Sequence, residues 1–198
     1  MAAMSEPERG RRAERKRVTR AALHRAALEI AHDEGVAAAT VERVAERAGV
    51  SPRTFFNYFA TKDDALSGVD PDLPAALAQA LRERPQDEPL RDSLRAVLVE
   101  RMATATREPQ MWRMRAVVAR ESPSISVAVL GAGAQTARAL ADAAYAREGV
   151  DPADDIAPAV AVFTALGAVR AAIWTYGQRG FEGEIEPLVR ECFEISGL

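Results

Sequence analysis

Apolar residues recur at three- to four-residue spacing along almost the whole chain, and this spacing constrains the fold more than any other feature of the sequence. Leu23, Ala27 and Ile30 show it in the first long segment. Alternating runs of β-branched residues between turns, which are typical of strands, are nearly missing. The sequence therefore predicts an all-α protein, and its 198 residues suffice for one large or two small domains.

Capping and helix-breaking residues divide the chain into successive helices. Thr40 and Ser51 are expected N-caps, whereas Gly35 and Gly49 are expected to end the helices before them. The predicted helices cover residues 11–34, 41–48, 52–58, a stretch opening at 61, then 74–83, 90–107, 109–120, 124–148, 152–178 and 184–196.

A cluster of turn-forming residues begins at Gly68 and predicts a domain boundary close to it. We predict a disordered tail over residues 1–10 and a first helical domain over residues 11–66. A second, larger helical domain is predicted over residues 67–198.

Positive charge is concentrated at the start of the chain. Residues 9–25 hold eight basic groups and one acidic group, whereas the whole protein has a formal net charge of -3. A basic arm beside an acidic body is typical of proteins that bind nucleic acid without coating it with their whole surface. A solvated, helix-promoting tail has the same composition, so the arm alone leaves both interpretations open.

The sequence offers little for catalysis, metal binding or membrane insertion. The single cysteine excludes a disulfide framework and a cysteine-based zinc site, and the two histidines, His24 and His32, lie on one predicted helix without an HExxH or GxSxG motif. The longest uncharged run, residues 122–137, is shorter than a membrane span, and Arg20 and Arg25 interrupt any signal-like apolar stretch. We therefore predict a cytoplasmic protein that is not an enzyme and has no metal, no cofactor and no membrane partner.

One segment supports a different class of protein. Residues 127–133 have the sequence VAVLGAG, which resembles the strand and first glycines of a dinucleotide-binding fold. Thr136 occupies the place of the third small residue of that motif, and too little chain follows Gly133 for the rest of the fold. A dinucleotide-binding oxidoreductase is therefore the weaker alternative, and the glycines are expected to be packing or bending points in a long helix.

Two short predicted helices joined by a tight turn at Gly49 form a helix-turn-helix pattern within residues 40–66, TVERVAERAGVSPRTFFNYFATKDDAL. Phe55 and Phe59 are expected to face inward. The exposed side of the second helix is expected to carry Arg53, Thr54, Asn57 and Tyr58. Donors, acceptors and an aromatic ring on that side suit the base edges and phosphates of a DNA major groove.

The same stretch resembles the DNA-binding domain of the TetR family of bacterial transcriptional regulators. The matching features are the T-x-x-x-V-A-x-x-A-G-V-S core over residues 40–51, the aromatic block FFNYF over residues 55–59, and Lys62 three residues later. The resemblance covers about residues 13–66. It implies a three-helix DNA-binding domain followed by a larger helical domain that binds a ligand and dimerises.

The resemblance implies DNA contacts position by position. The implied contact residues are Thr40, Ser51, Arg53, Thr54, Asn57, Tyr58 and Lys62. Thr40, Thr54 and Lys62 would bind phosphates, whereas Arg53 would read guanine and Asn57 adenine. Phe56 stands where the family often has a tyrosine that bonds a phosphate, which leaves this side chain to pack or to touch a thymine methyl group.

A homodimer is implied as well, in which the last two long helices of each copy form a four-helix bundle and two recognition helices meet a palindromic site. The predicted interface residues are Val160, Gly167, Ala171, Trp174, Leu188 and Cys192. The helical spacing of these residues is equally compatible with a face that packs only inside its own subunit.

The resemblance finally implies a chamber for a small-molecule effector, whose binding would release a repressor from double-stranded DNA. The candidate lining residues are Met102, Met111, Trp112, Met114, Arg115, Val118, Tyr145 and Phe163. Methionines of this spacing also suit an ordinary core. A weaker similarity over residues 112–126 to the branch with acyl-CoA-like ligands implies a hydrophobic or acyl-CoA-like effector, with Arg113 or Arg115 near an anionic head group.

Overall fold

A computed structural model describes residues 6–105 and 108–198 of the protein, except for the side chains of residues 6–10, 12, 13 and 105. Over these ranges the chain forms helices and contains no strand. The helices are α1 (Glu6–Glu34), α2 (Val41–Arg47), α3 (Pro52–Phe55), α4 (Lys62–Ser67), α5 (Leu73–Arg82), α6 (Leu90–Ala105), α7 (Pro109–Glu121), α8 (Pro123–Glu148), α9 (Ala157–Gln178) and α10 (Ile185–Ser196), with a 3-10 turn at Val36–Ala38. The prediction of an all-α protein is confirmed.

Two helix starts differ from those expected. α1 begins at Glu6, so the predicted tail of residues 1–10 is wrong for residues 6–10, while residues 1–5 lie outside the described chain. α9 begins at Ala157 and not at residue 152, because carboxylates stabilise turns before it. The Asp151 carboxylate accepts the N–H of Ala153 at 2.8 Å, and the Asp155 carboxylate accepts the N–H of Ala157 at 2.8 Å.

The chain forms two compact units, and one of them is discontinuous in sequence. The first unit combines the chain up to Val69 with residues 114–129, and the second combines residues 70–113 with residues 130–198. A boundary near residue 68 was expected, whereas the packing of the chain groups residues 114–129 with the first unit. This segment spans the second half of α7 and the start of α8, where no sequence pattern signals a division.

The first unit is built around α1. Leu23 and Ala27 of α1 are buried together with Phe55 and Leu66 from the helices that follow. Because these side chains come from helices of one or two turns as well as from α1, the short helices depend on this shared apolar centre.

Segment 114–129 belongs to the same centre. Its Val118 and Ile125 are both buried. The Ser124 hydroxyl donates to the Asp63 carboxylate at 2.7 Å, which fixes the start of α8 against α4. The first unit therefore has a core of its own, to which a distant part of the sequence contributes.

The second unit has a separate core formed by its long helices. Leu140, Val162, Tyr176 and Phe193 are its buried centre. Met102 is buried in the same core. Because each of these helices contributes a continuous apolar face, packing along their length holds the unit together.

A polar clamp closes the turn between α5 and α6 in the second unit. The buried Arg147 side chain donates to the backbone carbonyls of Arg84 at 3.0 Å, of Glu88 at 2.8 Å and of Pro85. Hydrogen bonds from Arg84 and then Ser93 lower the pKa of the Glu88 carboxyl from 4.5 to about 2. Side-chain hydrogen bonds thereby fix the turn.

The glycine-rich segment at residues 127–133 lies inside α8 and is helical. No strand precedes it anywhere in the described part of the chain, so the dinucleotide-binding alternative is wrong. Gly131 and Gly133 therefore lie within a helix and not in a phosphate-binding turn.

α9 is the described helix that is long and apolar enough to cross a membrane by length and composition. About a third of its apolar stretch is buried within the protein. Core helices of soluble proteins satisfy the same two criteria, so this helix is weak support for a membrane span.

Candidate nucleic-acid interface

The turn between α2 and α3 is set by a glycine-terminated helix end. Gly49 has a φ of 70°, and its N–H donates to the carbonyl of Glu46 at 3.0 Å. The Val50 N–H donates to the carbonyl of Ala45 at 2.9 Å, which completes a Schellman motif. Because L side chains rarely adopt this φ, glycine is what allows α3 to follow α2 so closely.

α3 is short and depends on its first residues and on the core beneath it. The Ser51 hydroxyl accepts the N–H of Thr54 at 3.1 Å, and Pro52 occupies the first turn. Regular α-helix ends at Phe55, earlier than the predicted residue 58, because the next turn tightens: the N–H of Tyr58 donates to the carbonyl of Phe55 at 2.9 Å, three residues back.

Two buried aromatic rings orient this segment. Phe55 and Phe59 are one helical turn apart, both are buried, and their ring centroids lie 5.8 Å from each other. The ring of Phe56 meets that of Phe55 edge to face, with centroids 5.5 Å apart and planes at 84°. The opposite face of the segment is consequently held toward solvent in one orientation.

That opposite face carries Arg53, Phe56 and Asn57, at positions i, i+3 and i+4, and all three are exposed. Phe56 is 58% exposed, an unusual position for a large apolar ring. Within the described part of the chain, the Arg53 guanidinium and the Asn57 amide form no side-chain hydrogen bond or ion pair. Their donors are therefore available to an external partner.

The hydroxyl groups predicted to bind phosphates lie at helix starts. Thr40 caps α2 by accepting the N–H of Arg43 at 3.4 Å, and the Ser51 and Thr54 hydroxyls lie 2.9 Å apart. Thr40 and Ser51 are exposed and Thr54 is half-buried. A hydroxyl can both accept and donate, so capping and phosphate binding are compatible.

Lys62 is more constrained than the sequence suggested. Its ammonium lies 3.3 Å from the carbonyl of Val36, to which it donates, and 3.4 Å from the Asp63 carboxylate. The side chain is half-buried. An ammonium has three donors, so at most part of its hydrogen-bonding capacity is open to a phosphate.

Sequence reasoning assigned Arg20 to the basic arm, but the structure places it inside the first unit. Its guanidinium donates to the carbonyl of Tyr58 and, at 2.7 Å, to the carbonyl of Val69. It also lies over the ring of Phe59, 4.1 Å from the centroid. Arg20 thus joins α1 to Tyr58, just after α3, and only its spacing from Leu23 on α1 could have indicated this.

Among the described residues of the first unit, the imidazole of His24 has a strongly shifted pKa. Burial, followed by the neighbouring positive charge of Arg115, lowers the pKa of its imidazole from 6.5 to about 4. The Nδ1–H donates to the carbonyl of Ala65 at 2.7 Å. The ring also lies where a side chain on Gly68, which has a φ of 59°, would have to go.

In the second unit, α9 carries a line of exposed apolar and small residues that includes four of the six predicted interface residues. The exposed residues of this line are Val160, Phe163, Gly167, Ala171 and Trp174. Trp174 is 66% exposed and Val160 is 53% exposed. The other two predicted interface residues differ, because Leu188 is buried in its own subunit's core and Cys192 is half-buried against it.

The residues predicted to line one ligand chamber are distributed over both units. Met102, Met111, Trp112 and Tyr145 belong to the second unit, whereas Met114, Arg115 and Val118 belong to the first. Phe163 is 60% exposed on the outer line of α9, so its assignment to the chamber is wrong: at its position the helix faces away from the core.

An open cavity of about 540 Å³ occurs elsewhere in the second unit, between α6 and α10. Five of its eight lining residues are charged, namely Asp92, Arg95, Glu100, Glu186 and Arg190. The Arg190 and Glu186 side chains are paired with each other at 2.7 Å. None of the predicted chamber residues lines this cavity.

Comparison with protein families gives two matches that together span most of the chain. The model described as bacterial regulatory proteins, tetR family, matches residues 23–67. The model of the MftR C-terminal domain matches residues 88–195. The HTH-type transcriptional regulator TcmR of Streptomyces glaucescens is 36% identical over 176 residues, which cover 83% of this chain and 76% of TcmR.

Solved structures share the fold at low sequence identity. The fatty acid degradation regulator FadR from Bacillus halodurans superposes with a TM-score of 0.61 at 15% identity, covering 90% of this chain and 94% of FadR. SmeT of Stenotrophomonas maltophilia in complex with triclosan gives 0.62 at 16% identity, with 90% of each chain covered. FadR of Thermus thermophilus in complex with lauroyl-CoA gives 0.50 at 22% identity, covering 89% of this chain and 92% of that one.

Proposed function

Because the chain belongs to the TetR family of bacterial transcriptional regulators, we propose that it represses transcription by binding a palindromic operator as a homodimer and leaves DNA when a small molecule binds its second unit. The observation that carries this proposal is the exposed face of Arg53, Phe56 and Asn57 above the buried pair Phe55 and Phe59.

Base reading is assigned to that face. An arginine suits the O6 and N7 acceptors of guanine, and an asparagine suits the N6 and N7 edge of adenine. The exposed ring of Phe56 shares this face and is held edge-on by Phe55. A ring without a hydroxyl group in a major groove would contact the 5-methyl group of thymine.

Phosphate binding is assigned to the residues around this face. The hydroxyls of Thr40, Ser51 and Thr54, the Tyr58 side chain and the Lys62 ammonium surround the recognition segment in sequence, and phosphate contacts set the register of the protein on the duplex. Lys62 would contribute a reduced share, because Val36 and Asp63 already hold its ammonium.

Dimerisation is assigned to the exposed line of α9. Val160, Phe163 and Trp174 are large apolar side chains in solvent, and Gly167 and Ala171 between them would permit a second helix to approach closely. A two-fold axis through this face would also account for a palindromic DNA site. Leu188 and Cys192 would support the face from beneath and not contact the second copy directly.

The effector is assigned to an apolar or acyl-CoA-like class. Support comes from two structural relatives, one in complex with lauroyl-CoA and the other with triclosan, both ligands with a large apolar part. In this chain Met102, Met111, Trp112 and Tyr145 supply apolar and aromatic surface in the second unit. Arg113, which donates to the carbonyl of Gly180 at 2.8 Å, is the candidate for an anionic head group.

Selection of bound duplexes from a random library tests operator binding, and three probes then assign the roles of the contact residues. Asn57→Ala should relax preference at one base position by about 1–3 kcal/mol and leave the others unchanged. Lys62→Ala should weaken binding to all sequences alike and lower the salt slope by about 0.9 at most. Deoxyuridine in place of a contacted thymine should weaken binding of wild type but not of Phe56→Ala.

Uniform loss of affinity across all bases in Asn57→Ala would remove its reading role. If deoxyuridine in place of thymine left the affinity of the wild type unchanged, Phe56 would not contact a thymine methyl group.

The dimer is tested by sedimentation at micromolar concentration. Trp174→Glu should convert dimers to single subunits, because a carboxylate would be buried in the face that the two copies share. Gln110→Glu, an exposed change of the same charge, is the control and should sediment as wild type. Wild-type protein that sediments only as single subunits would contradict the proposed dimer.

A further inference from the structure

α1 extends far beyond the apolar core that it supports. It has 29 residues, about 43 Å at the usual rise per residue, yet the first fully buried side chain among those described along it is Leu23. The match to the tetR family model also begins at residue 23. The helix from Glu6 to residue 22 lies before both, and it is about 25 Å long.

This N-terminal arm, defined here as residues 6–22, presents exposed positive charge ahead of Arg20. Arg11, Arg15 and Lys16 are exposed, and among the residues with described side chains none of the three has a hydrogen bond or an ion pair. Arg17, by contrast, is neutralised by Glu14 through two hydrogen bonds of 2.9 and 2.7 Å. Over its described exposed side chains, the arm thus carries three unpaired cations and one paired one.

Nothing in the folding of the described chain explains these three cations. Residues 11–18 are exposed where described, including Val18 at 55%, so they contribute no core. Like charges four residues apart, as in Arg11 and Arg15 or Lys16 and Arg20, disfavour an isolated helix by a few tenths of a kcal/mol. A polyanion would remove that repulsion.

The arm starts beside residues 52–59, the segment that carries Arg53 and Asn57. Arg20, one turn after Lys16 on the same side of the helix, holds the carbonyl of Tyr58 and covers the ring of Phe59. Lys16 therefore continues the surface from the end of that segment along the helix axis, and Arg15 and Arg11 follow on an adjacent side of the same helix. Successive base pairs rise about 3.4 Å, so an arm of about 25 Å could follow some seven of them.

We propose that this arm is a second DNA-binding element, which contacts phosphates outside the base pairs read by Arg53 and Asn57 through Arg11, Arg15 and Lys16. It adds affinity that depends on salt and not on sequence. The inference rests on the DNA binding proposed above but not on the choice of operator.

The test compares two triple variants of the full chain that remove the same charge. The arm variant is Arg11→Gln, Arg15→Gln and Lys16→Gln; the control variant is Arg82→Gln, Arg91→Gln and Arg179→Gln, which are exposed and lie in the second unit. Both should keep the wild-type helical content and thermal midpoint. Binding to a library-selected duplex and to an unrelated duplex of equal length is measured across salt concentrations, with hydroxyl-radical footprinting on the selected one.

The arm variant should lower the salt slope by about 0.9 for each phosphate that the arm no longer neutralises, up to about 2.7 per subunit, on both duplexes. Its footprint should lose protection at the flanks, whereas the ranking of base substitutions within the site stays as in wild type. The control variant should match wild type in slope and footprint.

An arm variant with the slope and footprint of wild type would overturn the proposal, as would a control variant that lowers the slope equally. If the wild type bound all duplexes with equal affinity, the proposed sequence-specific binding would be refuted instead. The difference in salt slope between the arm variant and wild type would still test the arm.

Discussion

The short helices of the first unit and the long helices of the second begin in different ways. α2, α3 and α4 have 7, 4 and 6 residues, and at the start of each the hydroxyl of Thr40, Ser51 or Thr61 accepts a backbone N–H. α5, α9 and α10 have 10, 22 and 12 residues and no side-chain cap bond. A helix of one or two turns is unstable alone, so its ends and neighbours must hold it, whereas a long amphipathic helix is held by its buried face.

Because of this difference, local sequence determines the position of individual side chains in the first unit more than in the second. In the first unit, local rules about caps, glycine turns and helix faces place individual side chains, so the exposed positions can be assigned to DNA one by one. In the second unit, many apolar residues satisfy the same packing requirement. Which of them surrounds an effector therefore does not follow from their spacing.

The largest expected effects come from a matched pair of buried phenylalanines, one in each unit. Phe55→Ala and Phe193→Ala should each cost about 3–5 kcal/mol, because both rings are fully buried. If each unit is held by its own core, Phe55→Ala should abolish DNA binding and preserve the sedimentation of wild type, whereas Phe193→Ala should disturb both. Equal loss of both properties in the two variants would break the distinction between the units.

A pair of glycines should show the next largest effect. At Gly68 an added methyl group would overlap the His24 ring, and the backbone is left-handed; Gly68→Ala should therefore cost about 2–4 kcal/mol. Gly131 lies in α8 with nothing near its added methyl, so Gly131→Ala should stabilise by about 0.5–1 kcal/mol. Chemical denaturation measures both. A mild Gly68→Ala would mean that the imidazole can move away at little cost.

Acid should destabilise the two units over different pH ranges. The pKa of His24 is about 4 in the folded chain against 6.5 ordinarily, so its stabilising contribution is complete above about pH 6.5 and is lost as the pH falls toward 4. The pKa of Glu88 is about 2 against 4.5, so its contribution is complete above about pH 4.5 and is lost as the pH falls toward 2. Amide hydrogen exchange should therefore show the first unit losing protection at higher pH.

His24→Gln is the control for that experiment, because it removes the titrating ring. It should abolish the pH dependence of the first unit between about 6.5 and 4 and leave that of the second unchanged. Loss of protection in both units at one pH would contradict the assignment.

The smallest expected effect concerns the helix starts themselves. Thr61→Ala should cost about 1 kcal/mol, because it removes the hydroxyl that accepts the N–H of Asp64 in a capping box. Asp72→Ala, at the start of α5, should change stability by less than about 0.5 kcal/mol, since its side chain caps nothing. Equal costs would show that the contrast between capped and uncapped helices has no energetic basis.

The helices and the family were predictable from the sequence because both depend on local patterns. The caps at Thr40 and Ser51, the stop at Gly49 and the all-α fold follow from rules that need no knowledge of tertiary contacts. The burial of Phe55 and Phe59 followed from helix spacing in the same way.

The contacts between distant parts of the chain were not predictable. Arg20 counts as one more positive charge in sequence, and only its distance from Tyr58 and Val69 in space shows that it is internal. Phe163 has the composition of a pocket residue, but which side of α9 faces the core is decided by the neighbouring helices. The clamp by Arg147 joins positions about sixty residues apart, a separation that leaves no sequence signal.

The discontinuous make-up of the first unit limits how its DNA specificity could be transferred to another regulator. The chain passes from one unit to the other at residues 69, 113 and 129, so a single recombination event near residue 69 would carry the recognition segment without Val118 and Ile125, two side chains of its own core. Chimeras that exchange operator preference should therefore also carry residues 114–129, and natural exchange by one crossover should be selected against.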